Sequence, residues 1–512
     1  MTKNNQKFKN TTLHMTGIAL IFVSAGIAVS TLVSLFDERV DFISLLLTTI
    51  IVGLLGLLLF TSTKLGETDQ ATIFTAVGTT WILVSLLGTL PYLFAGTFSR
   101  TGIGLPEVFV DSLFESVSGF TASGSTVFGL HNPIEMQSAG MLLYRQLTQW
   151  MGGMGIVVLV VSVLPSLGAN GLGLIDAEAP GAGVERLAPR VVETAKRFWY
   201  IYVSLTILLS LAFFTFGMGA FDAISHALTT ASTGGFSTKD ASIGHWNSGA
   251  IELVVMIGFL ISASNYTLHA RSMEKKRFEY ASDPEFKSFI GLTAVGILCV
   301  TLLLTEDGFS FGSAIRNASF NVVTLATSGG YGNALGTGEA GDFAAWSGSA
   351  QLCLLFFIIF GGCTGSTSGG VKIMRLRIGF AHAYRILRSI RRPRALIQAR
   401  MGNRTIPDSL VERIAGFVVV YGVLVIIGTL ILTVLGTDLL TAFSGTFSAL
   451  SNMGPALGEA GPTSSFVDGF SAPGRLLLLF FMLIGRLEIF PMLLMFVIPY
   501  RNSVQNIRRK NP

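Results

Sequence analysis

The chain has 512 residues, half of them hydrophobic and only 13% charged, with a mean hydropathy of +0.63 and a formal net charge of +5. Soluble domains carry about 25% charged residues, so the composition excludes a water-soluble globular protein and points to one embedded in a bilayer. Three cysteines, Cys299, Cys353 and Cys363, form no spaced cluster, which argues against a disulfide scaffold or a thiolate metal site.

A membrane-crossing helix needs about 20 apolar residues. In chain order, runs of that kind lie at 13–36, 40–62, 71–97, 140–165, 198–219, 249–270, 287–305, 350–389, 410–435 and 474–499. The first is longer than the apolar core of a secretory signal and has no clear small-residue cleavage site, so it reads as a retained span. Four shorter apolar runs, at 107–120, 220–231, 314–326 and 438–451, fall between spans. They are too short to cross and read as re-entrant, a course open only to backbone shielded by protein or lining a water-filled cavity.

The basic residues set the orientation. Lys3, Lys7 and Lys9 precede the first span, Arg186, Arg190, Lys196 and Arg197 follow the fourth, and Arg271, Lys275, Lys276 and Arg277 follow the sixth. Arg385, Arg388, Arg391, Arg392, Arg394, Arg400 and Arg404 follow the eighth, and Arg501, Arg508, Arg509 and Lys510 follow the last. Alternating spans put all of these on one side, so both termini are expected to be cytoplasmic and the four short runs to lie on the outer side. The arginine run at 385–404 fits orientation and contact with membrane lipid; a docking surface for an acidic cytosolic partner is the alternative.

The four short runs align on one glycine each: Gly124, Gly235, Gly330 and Gly454. They read DSLFESVSGFTASG, DAISHALTTASTGG, NASFNVVTLATSGG and TAFSGTFSALSNMG. The first position, Asp111, Asp222, Asn317 or Thr441, is predicted to cap a short helix. The eighth (Ser118, Thr229, Thr324, Ser448) and the eleventh (Thr121, Ser232, Thr327, Ser451) are hydroxyls in every copy. The glycines are 111, 95 and 124 residues apart. A unit of span, short helix, glycine-bearing return and span therefore repeats four times after a leading pair of spans.

The reading is an all-α integral membrane protein. It has an N-terminal helix pair at 1–66 and four pseudo-symmetric helix–pore loop–helix repeats around a central pore, at 67–196, 197–280, 281–404 and 405–512. Four such loops make a narrow backbone-lined constriction whose carbonyls can replace a cation's hydration shell, with helix C-termini aimed at the space beneath. No lysine or arginine occurs within the aligned copies, though Lys239 and Arg316 flank them; an anion pore would need basic rings there.

These residues carry a resemblance. The chain resembles the Trk/Ktr/HKT superfamily of potassium transporters, most closely its TrkH type, over nearly its whole length. The motifs are ESVSGFTASGSTVF at 115–128, QWMGGMGIVVLVVSVLP at 149–165, DAISHALTTASTGGFSTKDASIG at 222–244, ATSGGYGN at 326–333, GGCTGSTSGGVKIMR at 361–375, SNMGPALGEAGP at 451–462 and GRLEIFPMLL at 485–494. The resemblance implies a K+ selectivity filter built from Thr121, Ala122, Ser123 and Gly124; Ser232, Thr233, Gly234 and Gly235; Thr327, Ser328, Gly329 and Gly330; and Ser451, Asn452, Met453 and Gly454. The transported K+ would be held at the four aligned glycines. Sodium-favouring plant relatives have serine at the first of these, where this chain has Gly124, which implies potassium selectivity. The first loop reads TASG where the family often has TTTG.

Two further features interrupt the apolar pattern. The run 350–389 is too long for one crossing and contains Gly361, Gly362, Cys363, Thr364, Gly365, Ser366, Thr367, Ser368, Gly369 and Gly370, a composition that cannot hold a helix. By resemblance this is the intramembrane loop that gates the pore. Arg486 and Glu488 stand inside LLLLFFMLIGRLEIFPMLLMF. A charge at bilayer depth costs about 2.5–3.5 kcal/mol on insertion scales, so Arg486 is expected to face a cavity. The resemblance makes it a positive barrier under the filter.

No P-loop, HExxH or GxSxG motif is present in the sequence, and the six histidines are scattered, so an enzyme is not expected. His226 reads as a packing residue. Without a nucleotide-binding motif, this chain is expected to bind no nucleotide, and no nucleic-acid partner is expected. The resemblance implies a homodimer and a cytosolic nucleotide-binding regulatory subunit of the TrkA kind. It also implies residence in the cytoplasmic (inner or plasma) membrane of a prokaryote. A sodium- or proton-coupled potassium symporter, or a less selective monovalent cation transporter, remains compatible with the same residues.

Overall fold

The computed structural model describes residues 8–37, 41–66, 70–100, 102–163, 187–391, 400–401, 404–487 and 492. Glu488, most of the second half of the 474–499 run, and Arg392 and Arg394 lie outside them. The described chain is mostly helical, and its strands are two-residue segments joined in three pairs.

Two apolar helices come first, α1 (Thr11–Ser34) and α2 (Phe42–Ser62). A β-carbon on Gly17 would meet the Phe60 nitrogen at 2.7 Å, and one on Gly56 would meet the Ile21 nitrogen at 2.9 Å. The pair thus touches backbone to backbone, as small residues permit where burial of apolar surface drives nothing. It packs against the first repeat through α3 and α6 below.

One pattern then recurs four times. The first copy comprises α3 (Gln70–Leu87), α4 (Leu90–Ala95), the buried helix α5 (Leu105–Thr121) and α6 (Ala139–Val163). The second comprises α7 (Leu187–Thr215), the short α8 (Ala220–Ala231), α9 (Gly249–Ser262) and α10 (Tyr266–Lys275). The third comprises α11 (Pro284–Glu306), α12 (Phe311–Ala326), α13 (Gly348–Ile359) and α14 (Ile373–Arg391), and the fourth α15 (Asp408–Val434), α16 (Leu439–Ser451), the single turn α17 (Phe466–Gly469) and α18 (Ala472–Leu487).

Among the described residues, six helical stretches are long and apolar enough to cross a membrane: Thr11–Ser34, Phe42–Ser62, Phe74–Ala95, Glu193–Thr215, Pro284–Glu306 and Asp408–Val434. The expected span at 249–270 is instead a pair, α9 and α10, bent by 89°. The expected run 350–389 is two helices with the glycine-rich segment between them. These departures have one cause. The second spanning stretch of each repeat lines the centre of the bundle, where polar groups and broken backbone have protein partners; α6, for example, buries Arg145 and Gln149, both hydrogen-bonded. The first helices face outward, with Leu208, Val419 and Leu430 exposed as a lipid-facing surface requires.

The four expected caps are not where the helices begin. The N-caps are Gly104, Gly219, Ser310 and Asp438. The helices extend three to seven residues further back because apolar or helix-compatible residues precede each aligned copy. The polar first positions serve the return segments and neighbouring helices instead. Asp222 accepts from Thr238 Oγ1 at 2.6 Å, Asn317 accepts from Asn333 Nδ2 at 3.0 Å, and Thr441 accepts from the Glu459 N–H at 3.2 Å. Asp111 pairs with Arg475 of α18 at 2.7 Å.

Candidate functional site

The four short helices end alike. The N–H of the residue before each aligned glycine donates to the carbonyl of the eighth-position hydroxyl residue: Ser123 to Ser118 (2.9 Å), Gly234 to Thr229 (2.8 Å), Gly329 to Thr324 (2.7 Å) and Met453 to Ser448 (3.0 Å). This is the six-to-one closure of a left-handed C-cap. The capping residues Ala122, Thr233, Ser328 and Asn452 have φ between +49° and +53°. The aligned glycines follow at φ +88°, +83°, +73° and +98°. The eleventh-position hydroxyls also serve the helix ends. Thr121, Ser232 and Thr327 donate to the carbonyls four residues back at 2.7, 3.1 and 2.8 Å, while Ser451 Oγ lies 2.9 Å from Tyr421 Oη.

The loops then interlock in a closed ring. A β-carbon on Gly124 would stand 2.3 Å from the Gly234 carbonyl oxygen, one on Gly235 would stand 2.2 Å from that of Gly329, and one on Gly330 would stand 2.3 Å from that of Met453. The fourth joint is looser: a β-carbon on Gly454 would stand 3.0 Å from the Ser123 oxygen. Each glycine therefore leaves room for a carbonyl of the next loop in chain order, and the last loop meets the first. Glycine is required twice over, by φ and by the space the neighbour's oxygen fills.

Polar side chains hold this ring from behind. The aligned fifth position carries Glu115, His226, Asn321 or Gly445. Glu115 accepts from Thr126 Oγ1 and the Val127 N–H, each at 3.0 Å. His226 Nε2 lies 2.9 Å from Ser237 Oγ, and Asn321 Nδ2 donates to Asn333 Oδ1 at 3.0 Å. His226 is fully buried between Trp246 and Tyr331, in keeping with a packing role. From α6, Arg145 donates to Glu115 at 2.6 Å and to the Ser237 carbonyl at 2.8 Å, and stacks over Phe236 at 3.9 Å. Gln149 donates to the Gly234 carbonyl at 2.7 Å and accepts from the Phe236 N–H at 3.0 Å. Glu115 and Arg145 are both at most 1% exposed, and a buried pair survives only when its remaining valences are met, as here.

On one side of the ring opens a cavity of about 230 Å³, lined by the four aligned glycines together with Arg145 and Lys239. On the other side lies the segment 361–370. It leaves and returns through one neck, where Phe360–Gly361 pairs in parallel with Val371–Lys372. Its Thr367 hydroxyl lies 3.2 Å from that of Thr233, and the Gly369 N–H donates to Ser328 Oγ at 2.6 Å. A β-carbon on Gly369 would meet the Ser451 carbonyl oxygen at 1.9 Å. The segment is thus pressed against three of the four loops. It is anchored to the bend of the second repeat as well, with Cys363 N–H on the Ala263 carbonyl at 2.8 Å and Tyr266 N–H on the Gly365 carbonyl at 3.1 Å. Arg486, 3% exposed, donates to the Thr367 carbonyl at 3.0 Å and to the Gly152 carbonyl at 3.1 Å. Its described hydrogen-bond partners are both carbonyls.

The structure therefore gathers all the sequence-predicted residues into one place: four loops in a ring, the glycine-rich segment against them, and Arg486 on that segment. Sequence reasoning missed Glu115, Arg145, Gln149 and Glu285, whose carboxylate holds the glycine-rich segment. The signal was present, since each is a polar or charged residue next to or inside an apolar run, the same argument that singled out Arg486.

A ring of interlocked backbone turns, open to a cavity on one side and backed by a glycine-rich segment on the other within a bundle of apolar helices, defines a pore-loop membrane transport protein. The chain belongs to the TrkH family of cation transport proteins, whose family model matches residues 40–506. It is 37% identical to the Trk system potassium uptake protein TrkH of Halomonas elongata over 81% of this chain and 83% of that one. It is 31% identical to the Trk system potassium uptake protein TrkG of Escherichia coli over 94% and 96%. Its fold matches the crystal structure of the potassium transporter TrkH from Vibrio parahaemolyticus with a TM-score of 0.83 and 34% identity, covering 95% of this chain and 98% of that one. The relatives are named as transport proteins, not enzymes.

Proposed function

We propose that the chain carries potassium inward across the cytoplasmic membrane of a prokaryote, through the ring formed by Gly124, Gly235, Gly330 and Gly454. The observation that carries this reading is the interlock itself, in which each glycine makes room for the next loop's carbonyl. Backbone turned this way sets oxygens at a fixed separation around one axis, which is what a dehydrated cation needs. The four-residue stretches ending at these glycines form the filter. The segment 361–370 is the gate, and Arg486 is a positive barrier within the permeation path.

In this reading the repeats divide near residues 66, 196, 280 and 404, both termini are cytoplasmic, and the 230 Å³ cavity is the outer mouth. The Trk names of the relatives support a system with more than one component, and so a homodimer controlled by a cytosolic nucleotide-binding subunit of the TrkA kind. Purified protein in liposomes, given potassium, rubidium, sodium or lithium, tests the reading. Flux should follow potassium and rubidium over sodium and lithium without an imposed sodium or proton gradient. Flux that requires such a gradient would make the protein a symporter, and equal flux of all four ions would remove the filter assignment.

A further inference from the structure

The segment 361–370 is held by a carboxylate that belongs to neither the ring nor the bend. Glu285, the second residue of α11, is 2% exposed. Its Oε1 accepts from the Thr364 N–H at 2.7 Å, from Thr364 Oγ1 at 3.1 Å and from the Met374 N–H at 3.0 Å. Thr364 lies within the glycine-rich segment, and Met374 is the second residue of the helix that resumes beyond it. One side chain therefore ties the segment to both α11 and α14. Arg377 of α14 returns the grip, donating to the Pro284 carbonyl and to Ser288 Oγ.

The cost of burying this carboxylate is offset in part by its position. It stands in the first turn of a helix, where the exposed N–H dipoles favour a negative charge, and Asp283 caps that turn by accepting from the Phe286 N–H at 2.8 Å. The segment's described bonds to the second repeat run instead through backbone groups and the Thr367 hydroxyl. Removing the carboxylate leaves two part-buried N–H groups without their acceptor, which is costly unless the segment moves to find water. The neck at Gly361 and Gly370 gives it a hinge about which to move.

We infer that Glu285 is the latch of the intramembrane segment, a positioning residue that holds it across the pore. The inference rests on the reading of 361–370 as the gate. It places the release point at the first turn of α11, far in sequence from both the ring and Arg486.

Cys363, fully buried within the segment, is a natural reporter of its position. In a Cys299→Ser, Cys353→Ser background it is the sole thiol. A small membrane-permeant thiol reagent should label Cys363 at least tenfold faster in Glu285→Ala than in the parent. Potassium flux in liposomes should rise several-fold, with the potassium-to-sodium ratio unchanged. Glu285→Gln keeps one acceptor oxygen and should fall between the two. Thr364→Val, which removes only the hydroxyl bond, should give a smaller rise and carries the measurement if the alanine variant does not fold. Labelling at the parental rate in all three variants overturns the latch. So does faster labelling that tracks a fall in melting temperature with no gain in flux. Deleting residues 364–367 in the same background separates the two readings. If the deletion raises flux and Glu285→Ala does not, the latch fails and the gate stands. If the deletion does not raise flux, the gate reading fails, while labelling still reports whether Glu285 holds the segment.

Discussion

Arg486 donates to the Thr367 carbonyl at 3.0 Å, so the buried cation of the last repeat is bonded directly to the glycine-rich segment of the third. Through its other nitrogen it reaches Gly152 of the first repeat at 3.1 Å. On the proposed reading of Arg486 as a barrier, Arg486→Ala should act in two ways, removing a positive charge from the path and loosening the segment. We expect potassium flux to rise about tenfold or more, equivalent to about 1.4 kcal/mol or more of barrier, with little change in selectivity. Arg486→Lys should keep part of the barrier. Flux is measured on size-checked protein in liposomes; a stable alanine variant at or below the parental rate would defeat the barrier role.

Shortening the segment by deleting residues 364–367 should raise basal potassium flux while leaving the potassium-to-sodium ratio unchanged, because these residues lie outside the interlocked turns. The measurement is rubidium uptake with and without competing sodium. A folded, potassium-selective variant that conducts nothing would assign the segment a supporting role instead.

Serine at Gly124 places a β-carbon on the Gly234 oxygen and forces a side chain into a backbone region that costs about 1–3 kcal/mol for a non-glycine residue. We expect Gly124→Ser to lower the potassium-to-sodium permeability ratio. The same change at Gly454, where the nearest oxygen is 3.0 Å away rather than 2.3 Å, should lower it less. Equal ratios for both variants and the parent would count against the ring as the selective element.

The Glu115–Arg145 pair predicts a stability effect. Breaking a buried ion pair from one side costs about 3–5 kcal/mol. Glu115→Gln should lower the melting temperature in detergent and disturb loops one and two together, since Arg145 also holds the Ser237 carbonyl. The double variant Glu115→Gln, Arg145→Met should recover part of the loss. A single variant as stable as the parent would show that the pair carries no such load.

The architecture was largely legible because two independent periodicities survive in the sequence. Lengths of apolar runs gave the spans, and the recurrence of glycine with hydroxyls three and six residues before it gave the loops. The caps were misread at Asp111, Asp222, Asn317 and Thr441 because a polar residue at the start of an apolar run looks the same whether it closes a helix or fastens a return segment. Only the third dimension brings Thr238 to Asp222 or Asn333 to Asn317. The 89° bend between α9 and α10 was hidden for a similar reason. Ala263 and Ser264 are not strong helix breakers; the break is marked by Asn265, whose side chain accepts from the Thr267 N–H to start α10, and by the backbone bonds that dock the glycine-rich segment against it. Glu285 stood out only by its place beside an apolar run, because its partners are backbone N–H groups, which any sequence supplies.

The ring of loops is made from a linear chain, so it must have a seam, and the seam is where the fourth loop meets the first. Three joints are filled by an oxygen at 2.2–2.3 Å from the absent β-carbon, but the Gly454–Ser123 joint is slack at 3.0 Å. The slack is stitched by side chains and the return segments. Ser125 Oγ donates to the Gly454 carbonyl at 3.0 Å, the Phe466 N–H donates to the Thr126 carbonyl at 2.9 Å, and Ser465 Oγ donates to the Val127 carbonyl at 3.0 Å. A closed belt with one buckle widens at the buckle. The aperture of this protein should therefore adjust between its first and last quarters, and substitutions at Ser125 or Ser465 should be felt as a change of bore before any loop unfolds.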